Sequence, residues 1–411
     1  MSQRGVLTLT SGACRFGKWI PLSGTTYRLE KLVKIKSAIG VAAASTLILA
    51  GCAAGTTDEG LTPEPTTDGE EVQVSVDLVY VGAASVPGST QIGLWAVADK
   101  LGFFEEEGLK VTQELADGST AALQVLASGS AEFTNAGVVS IMQAVNTGVP
   151  VKGFAGVVQN YPWEIAVLAG STLTTPSDFE GKTIGIISLA SESYVFARAW
   201  ISENGLDPDS DVTFVPVGAG AASLAALESG DIDALALYQE MYTKMENQGT
   251  EFSYFENPSL FNDMPSIALA ASTDMIESNG DVLERTGRAV YKGLLFAWAN
   301  PEAAMRIGYE YYPEKLPESG DPEERLEEDT RTFKTWIGSV MPLEGDPLEW
   351  GDFGAIDQEV LEAVQTFAIA GGKLDQEVSV DLVWTAEFIE GINDFDRQEI
   401  LDLAESWTWT P

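Results

Sequence analysis

The 411-residue chain is 45% hydrophobic and carries 62 Asp and Glu against 23 Lys and Arg, a formal net charge of −39. That length can bury more than one core, and that charge argues against a basic face for nucleic acid or anionic lipid. His is absent and Cys occurs only as Cys14 and Cys52, which removes the usual general base, the Ser-His and Cys-His nucleophile pairs, a disulfide framework and Cys-rich metal sites; no catalytic group, metal or cofactor is assigned.

Lys31, Lys34 and Lys36 precede an apolar run over 38–50, too short to span a bilayer but suited to the core of a secretory signal. The run ends Leu49-Ala50-Gly51-Cys52, which resembles a bacterial lipoprotein signal whose Cys is lipidated and becomes the mature N-terminus. Residues 1–51 are therefore expected to form a signal peptide, with Cys52 as the lipidation site that anchors the mature chain to the cell membrane, since several acyl chains bind stably where one does not. The polar leader over 1–31, with Pro21 and Gly24, departs from that pattern, and translation is expected to begin near Leu32 or Val33. Residues 52–71, rich in Thr, Pro, Gly, Asp and Glu, read as a flexible tether reaching about 25 Å.

A buried strand is predicted over 74–81, then a loop with Pro87, Gly88, Ser89 and Thr90, and a helix over 91–101 with Ile92, Trp95, Ala98 and Leu101 on one side. A strand starts at Gly108-Leu109-Lys110-Val111; Phe133 to Gly137 form a strand and loop, 138–147 a helix and 151–158 a strand. Asn160, Tyr161, Pro162 and Trp163 interrupt the pattern, and the chain is expected to cross here into a second lobe. That lobe takes a helical turn over 173–179, a strand from Gly181 to Ile186, helices over 191–204 and 240–248 and a strand over 252–255; a strand over 266–271 returns to the first. Helices follow over 282–299, 301–312, 326–340 and 358–370, with a solvated acidic start at Asp321, Glu323 and Glu324, and Trp384, Phe388, Trp407 and Trp409 are expected to pack across the lobes. Strands alternating with helices through short connections signify a parallel sheet covered on both faces.

One stretch occurs twice. Leu123, Leu126, Ser128, Gly129 and Glu132 recur at one offset as Leu224, Leu227, Ser229, Gly230 and Asp233. Each copy reads as an extended run, a small-residue loop, a helix apolar at i, i+3 and i+4, a Gly at its C-terminal end and a short strand. Two copies imply two similar lobes, with ligands at the loops after the strands.

The combination Gly93-Leu94-Trp95, Gly102-Phe103-Phe104-Glu105-Glu106-Glu107-Gly108-Leu109, Ala127-Ser128-Gly129-Ser130-Ala131-Glu132-Phe133, Gly148-Val149-Pro150-Val151, Asp178-Phe179-Glu180-Gly181-Lys182 and Leu227-Glu228-Ser229-Gly230-Asp231-Ile232-Asp233 resembles the extracytoplasmic substrate-binding proteins of ABC importers, in the branch that binds thiamine pyrimidine precursors, nitrate, taurine and alkanesulfonates. The resemblance covers most of 74–271. It implies an α/β, two-lobed periplasmic-binding-protein-like fold of type II, each lobe a mostly parallel sheet flanked by helices, with a helical C-terminal extension. Lobe 1 would span 72–163, lobe 2 164–263, and the return strand with the helical region 264–411. It also implies a binding role without chemistry on the ligand, a permease with its ATPase as partner, an extracytoplasmic location and a monomer; the one enzyme relative of the branch depends on His, which is absent here.

Carried onto this chain, the resemblance places ligand contacts at Ser89, Thr90, Asp117, Ser119, Thr120, Asn135, Trp163, Ser191, Glu192, Tyr194, Gly218, Tyr238 and Glu240. Small residues let backbone N–H groups approach, and helix starts aim positive dipole ends inward, which alone would suit nitrate, taurine or a sulfonate. Yet these loops hold no Lys or Arg and do hold Asp117, Glu192 and Glu240, and a carboxylate repels an anion strongly in a closed cleft. Trp163, Tyr194 and Tyr238 suit a flat ring or a cation. A neutral or cationic heteroaromatic or amine compound, such as a thiamine-type pyrimidine, is favoured over an anion, and an exported enzyme using a carboxylate pair stands as the rival class. Trp163, beside Pro162, serves either hinge packing or ligand stacking, Glu192 is either a ligand group or a helix-start carboxylate, and the Asp117/Gly218 difference between the two copies is the first place expected to set specificity.

Overall fold

The computed structural model describes residues 75–189, 191–261, 264–316, 321–342 and 345–409. The chain divides into two units, Met1–Gly69 and Glu70–Pro411. The expected signal, Cys52 and the tether lie outside the described residues.

In chain order the strands are β1 (Val76–Gly82), β2 (Leu109–Leu115), β3 (Phe133–Gly137), β4 (Val151–Val158), β5 (Trp163–Leu168), β6 (Lys182–Ile186), β7 (Val212–Pro216), β8 (Ala234–Tyr238), β9 (Phe252–Phe255) and β10 (Ile267–Ser272). They form two sheets of five, ordered β2-β1-β3-β10-β4 and β7-β6-β8-β5-β9. In the first, β1 runs parallel to β2 and β3, while β10 is antiparallel to β3 and β4. In the second, β6 runs parallel to β7 and β8, while β5 is antiparallel to β8 and β9. Each sheet is thus parallel except for one strand, and that strand is the one entering directly from a crossing between the lobes, without the helical return that a parallel partner requires. Helices cover both faces, and buried Tyr80, Phe133, Phe154 and Leu269 form the core on one face of the first sheet. The ring of Tyr80 stacks on Phe133 at 5.0 Å.

The duplicated stretch folds twice in the same way. Helices Gly118–Ala127 and Ala221–Ser229 each lead through a left-handed glycine, Gly129 at φ 71° and Gly230 at φ 77°, into β3 and β8. A side chain would be strained at either φ. The acid that ends each copy docks on the neighbouring parallel strand. Glu132 accepts from the Val79 N–H at 2.6 Å and donates its own N–H to Val79 O at 3.1 Å. Asp233 accepts from the Thr183 N–H at 2.8 Å and donates to Thr183 O at 2.8 Å. Each carboxylate satisfies a backbone donor of the neighbouring strand that would otherwise be orphaned. Glu132→Ala is expected to cost about 1.5–3 kcal/mol in urea unfolding, as a hydrogen bond to a charged group does, against less than about 0.5 kcal/mol for the exposed Glu203→Ala. Equal losses would make the matched acids a coincidence.

Several elements differ from expectation. The helix predicted over 91–101 begins at Ser89 and continues to Lys100, with one π-helical turn at Ile92–Ala96. Strand β5, unforeseen, begins at Trp163. Its six residues, apolar but for Glu164, form a short run after a Pro-containing hinge, which periodicity alone does not mark as a strand. The aromatic C-terminal segment packs largely on the first lobe rather than across both: Phe388 meets Phe154 edge-on at 6.2 Å and Trp407 meets Phe296 at 6.2 Å. Helices Pro322–Val340 and Gln358–Ala370 take the bridging position instead. The first starts four residues earlier than predicted, with Pro322 in its first turn and Asp321 accepting from the Glu323 N–H at 3.0 Å. It buries Leu326, Phe333, Trp336 and Ile337 in the first lobe's core. Its other side meets helix Gln239–Glu246 of the second lobe, where Thr335 and Thr243 hydroxyls lie 2.9 Å apart, and the Asn247 amide just beyond that helix donates to Glu328 O at 2.9 Å. Among the described residues no helix is long and apolar enough to cross a membrane.

Candidate functional site

A cavity of about 350 Å³ lies between the lobes where loops at the ends of β1, β3 and β8 converge with helix Pro322–Val340. Of the residues expected to meet a ligand, Thr90, Ser119, Asn135, Trp163, Glu192, Tyr238 and Glu240 line it. Ser89 stands at its edge, donating through Oγ to Glu240 Oε1 at 2.7 Å and so linking the two lobes.

The others lie off the cavity for local reasons. Asp117 is exposed and accepts from Ser85 Oγ at 2.6 Å. Thr120 is exposed on the outer side of its helix, and Gly218 sits in a left-handed turn at φ 77°. Ser191 Oγ donates to Ser188 O at 2.7 Å, closing the turn before helix Glu192–Glu203. Tyr194 follows Glu192 by two residues, about 200° round the helix, so it points away and packs on Phe214 at 5.3 Å under the Arg198 guanidinium at 5.5 Å. Sequence reasoning missed Ser140, Ser266, Thr335, Trp336 and Ser339, which also line the cavity. Trp336 had no distinguishing mark, because it continues the apolar stripe of its helix. Its ring reaches the first lobe over Gly93, where an added Cβ would lie 2.4 Å from Cη2 and Cζ3.

Two carboxylates set the electrostatics. Glu192 opens helix Glu192–Glu203, and its Oε1 accepts from the Tyr161 hydroxyl at 3.2 Å. Burial pushes its carboxyl up to about 7, against the opposing pull of the Tyr161 hydrogen bond and the Lys373 charge. Burial also raises Glu240, against Lys244, the Ser89 hydrogen bond and Lys315. Tyr238 is pushed up to about 12, first by burial and then by the Glu240 charge, so it remains a neutral phenol at physiological pH. Trp163 and Tyr238 meet edge to face at 5.5 Å and 77°, forming an aromatic wall beside these acids.

Asn135, 4% exposed, accepts through Oδ1 from the Tyr80 hydroxyl at 2.6 Å and the Ala83 N–H at 3.1 Å. A backbone N–H can only donate, which fixes the amide orientation and leaves Nδ2 free to donate to a ligand. The described residues lining the cavity include no Lys or Arg; the Lys373 charge that acts on Glu192 and the Lys244 and Lys315 charges that act on Glu240 come from outside that lining. No group of three or more metal-capable side chains occurs among the described residues. The arrangement offers acceptors, hydroxyls, one amide donor and an aromatic wall, which suits capture of a ring or an amine.

The family model described as NMT1/THI5 like matches residues 89–304. The chain is 24% identical over 349 residues to the riboflavin-binding protein RibY of Chloroflexus aurantiacus, covering 84% of this chain and 95% of that one. It is 26% identical over 215 residues to the formylaminopyrimidine-binding protein of Halalkalibacterium halodurans, covering 51% of this chain and 64% of that one. Among solved structures, the periplasmic aliphatic sulphonate binding protein SsuA of Escherichia coli superposes with a TM-score of 0.59 at 16% identity, over 75% of this chain and 92% of that one. The alkanesulfonate-binding SsuA of Xanthomonas axonopodis pv. citri, bound to MOPS, gives 0.54 at 16% identity over 75% and 98%. These likenesses show a shared two-lobed periplasmic-binding-protein fold. The chain belongs to the NMT1/THI5-like family and is a solute-binding protein of that type.

Proposed function

We propose that this protein captures a neutral or cationic heteroaromatic or amine solute, such as a thiamine-type pyrimidine, between its lobes and hands it unchanged to the permease of an ABC importer. It does so as a monomer held at the outer face of the cell membrane by lipidated Cys52. The observation that carries the ligand class is the pairing of Glu192 and Glu240 with the Trp163 and Tyr238 rings in a cavity whose described lining has no cation. A bound anion would face two acids in a low-dielectric cleft, whereas a ring bearing N–H groups or an ammonium would be attracted to both. The relatives named for riboflavin and formylaminopyrimidine support a heteroaromatic ring. The anchoring rests on the basic flank, the apolar core and the small residues before Cys52.

Mass spectrometry of the compound that copurifies, followed by a thermal-shift panel, tests this reading. Pyrimidines, flavins or amines are expected to stabilise the protein, by about 2.7 kcal/mol at a hundredfold excess over Kd, and to be recovered unaltered. Stabilisation by nitrate, taurine or sulfonates alone would overturn the ligand class. Recovery of a converted product would replace the binding role with an exported carboxylate-dependent enzyme.

A further inference from the structure

The cavity is chemically divided between its lobes. Glu192 and Glu240 both come from the second lobe, as do Trp163 and Tyr238. The first lobe contributes no ionisable side chain to the lining; it contributes Thr90, Ser119, Asn135 and Ser140. Thr90 and Ser140 make no side-chain hydrogen bond to the described residues, whereas the Ser339 hydroxyl on the bridging helix already donates to Trp336 O at 2.7 Å. Ser119 Oγ accepts from the Gly137 N–H at 3.0 Å and still has its own proton to give. The Asn135 Nδ2 group, on a side chain 4% exposed, adds a fixed donor to the same wall. A hydroxyl both donates and accepts, so a row of uncommitted hydroxyls complements groups that do the same.

Resting on the heteroaromatic reading above, we infer that the ligand is two-ended, a ring or amine seated against the second lobe and a hydroxylated side chain seated against Thr90, Ser119, Asn135 and Ser140 of the first. Such a ligand bridges the lobes and stabilises the closed arrangement through contacts that neither half of the ligand makes alone. Leaving a buried donor without its partner is costly, so a ring lacking the hydroxyls forfeits more than their own attraction.

Matched pairs differing only in hydroxyls provide the test: riboflavin against lumiflavin, which has the same ring with a methyl in place of the hydroxylated chain, and the hydroxymethyl against the methyl form of the thiamine pyrimidine. Titration calorimetry is expected to show the hydroxylated member of whichever pair binds at least tenfold tighter. The Thr90→Val/Ser140→Ala variant, which removes two hydroxyls from the first-lobe wall, is expected to reduce that ratio by half or more, the loss of affinity falling mainly on the hydroxylated member. A plain ring that binds as tightly as its hydroxylated partner, or a ratio that the variant leaves intact, overturns the two-ended ligand and leaves the heteroaromatic reading standing. Failure of every ring, hydroxylated or plain, overturns both.

Discussion

Trp163→Ala is expected to lower stability by about 3–5 kcal/mol, the range for removing a large buried aromatic, and to weaken ligand binding more than tenfold. The side chain is 8% exposed, meets Phe196 at 6.4 Å and Tyr238 at 5.5 Å, and stands at the first position of β5. Its backbone O accepts from Asn257 Nδ2 at 2.8 Å, tying the second crossing to the first. The indole therefore serves hinge packing and the cavity wall together. Trp163→Phe separates the two: part of the packing is kept, so the stability loss is smaller than for Ala, while a smaller ring offers a weaker face to a cation. Urea unfolding measures the first effect and calorimetric titration the second. Unchanged affinity in both variants would confine Trp163 to the hinge.

Glu192→Gln is expected to abolish the pH dependence of binding near neutrality. In the free chain this carboxyl titrates at the ordinary Glu value, whereas in the fold burial raises it to about 7. The folded state therefore holds the proton more tightly than the unfolded one. The stability this contributes is fully present below the free-chain pKa and is lost as pH rises through about 7. Without ligand, Glu192→Gln should be more stable than the parent above neutrality, by on the order of 1–3 kcal/mol, and nearly equal to it under acid conditions. A cationic ligand reverses the preference, because it pairs with the ionised carboxylate. For the aminomethyl form of the thiamine pyrimidine, parental affinity should fall about tenfold for each pH unit below the Glu192 pKa, and the Gln variant should lack that slope. A flat parental profile would remove Glu192 from cation binding and leave it as the acceptor of the Tyr161 hydroxyl.

The duplicated stretch was legible because left-handed glycines and an i, i+3, i+4 stripe leave marks at fixed spacing. Gly129 and Gly230 end their helices as the sequence implies, and Glu132 and Asp233 make the same bond in each lobe. Strand β5 was not legible, since a six-residue run after a Pro, apolar but for Glu164, has no period to display. Within the site, loops following strands were readable as loops, yet which side chains turn inward depends on helix phase. Glu192 and Tyr194, two residues apart, end on opposite sides of one helix. Asp117 and Gly218 mark a real difference between the two copies, but both lie off the cavity lining. Trp336, Thr335 and Ser339 come from a helix nearly a hundred residues beyond the last predicted contact, brought in by tertiary packing that local pattern does not encode.

The placement of β10 governs how the first sheet can be assembled from a growing chain. In the first sheet β10 lies between β3 and β4, which are joined to each other only through it. Four of that sheet's strands emerge by residue 158, yet the sheet stays split until residue 272 is available. The second sheet, by contrast, is built wholly from strands within 163–255 and can pair as a continuous piece. The strands over 76–158 can close into one sheet only with a segment made after the strands of the second sheet. Long-range pairing of this kind is slow and exposes unpaired edges, and in this molecule it falls on the sheet whose strands come first in the chain.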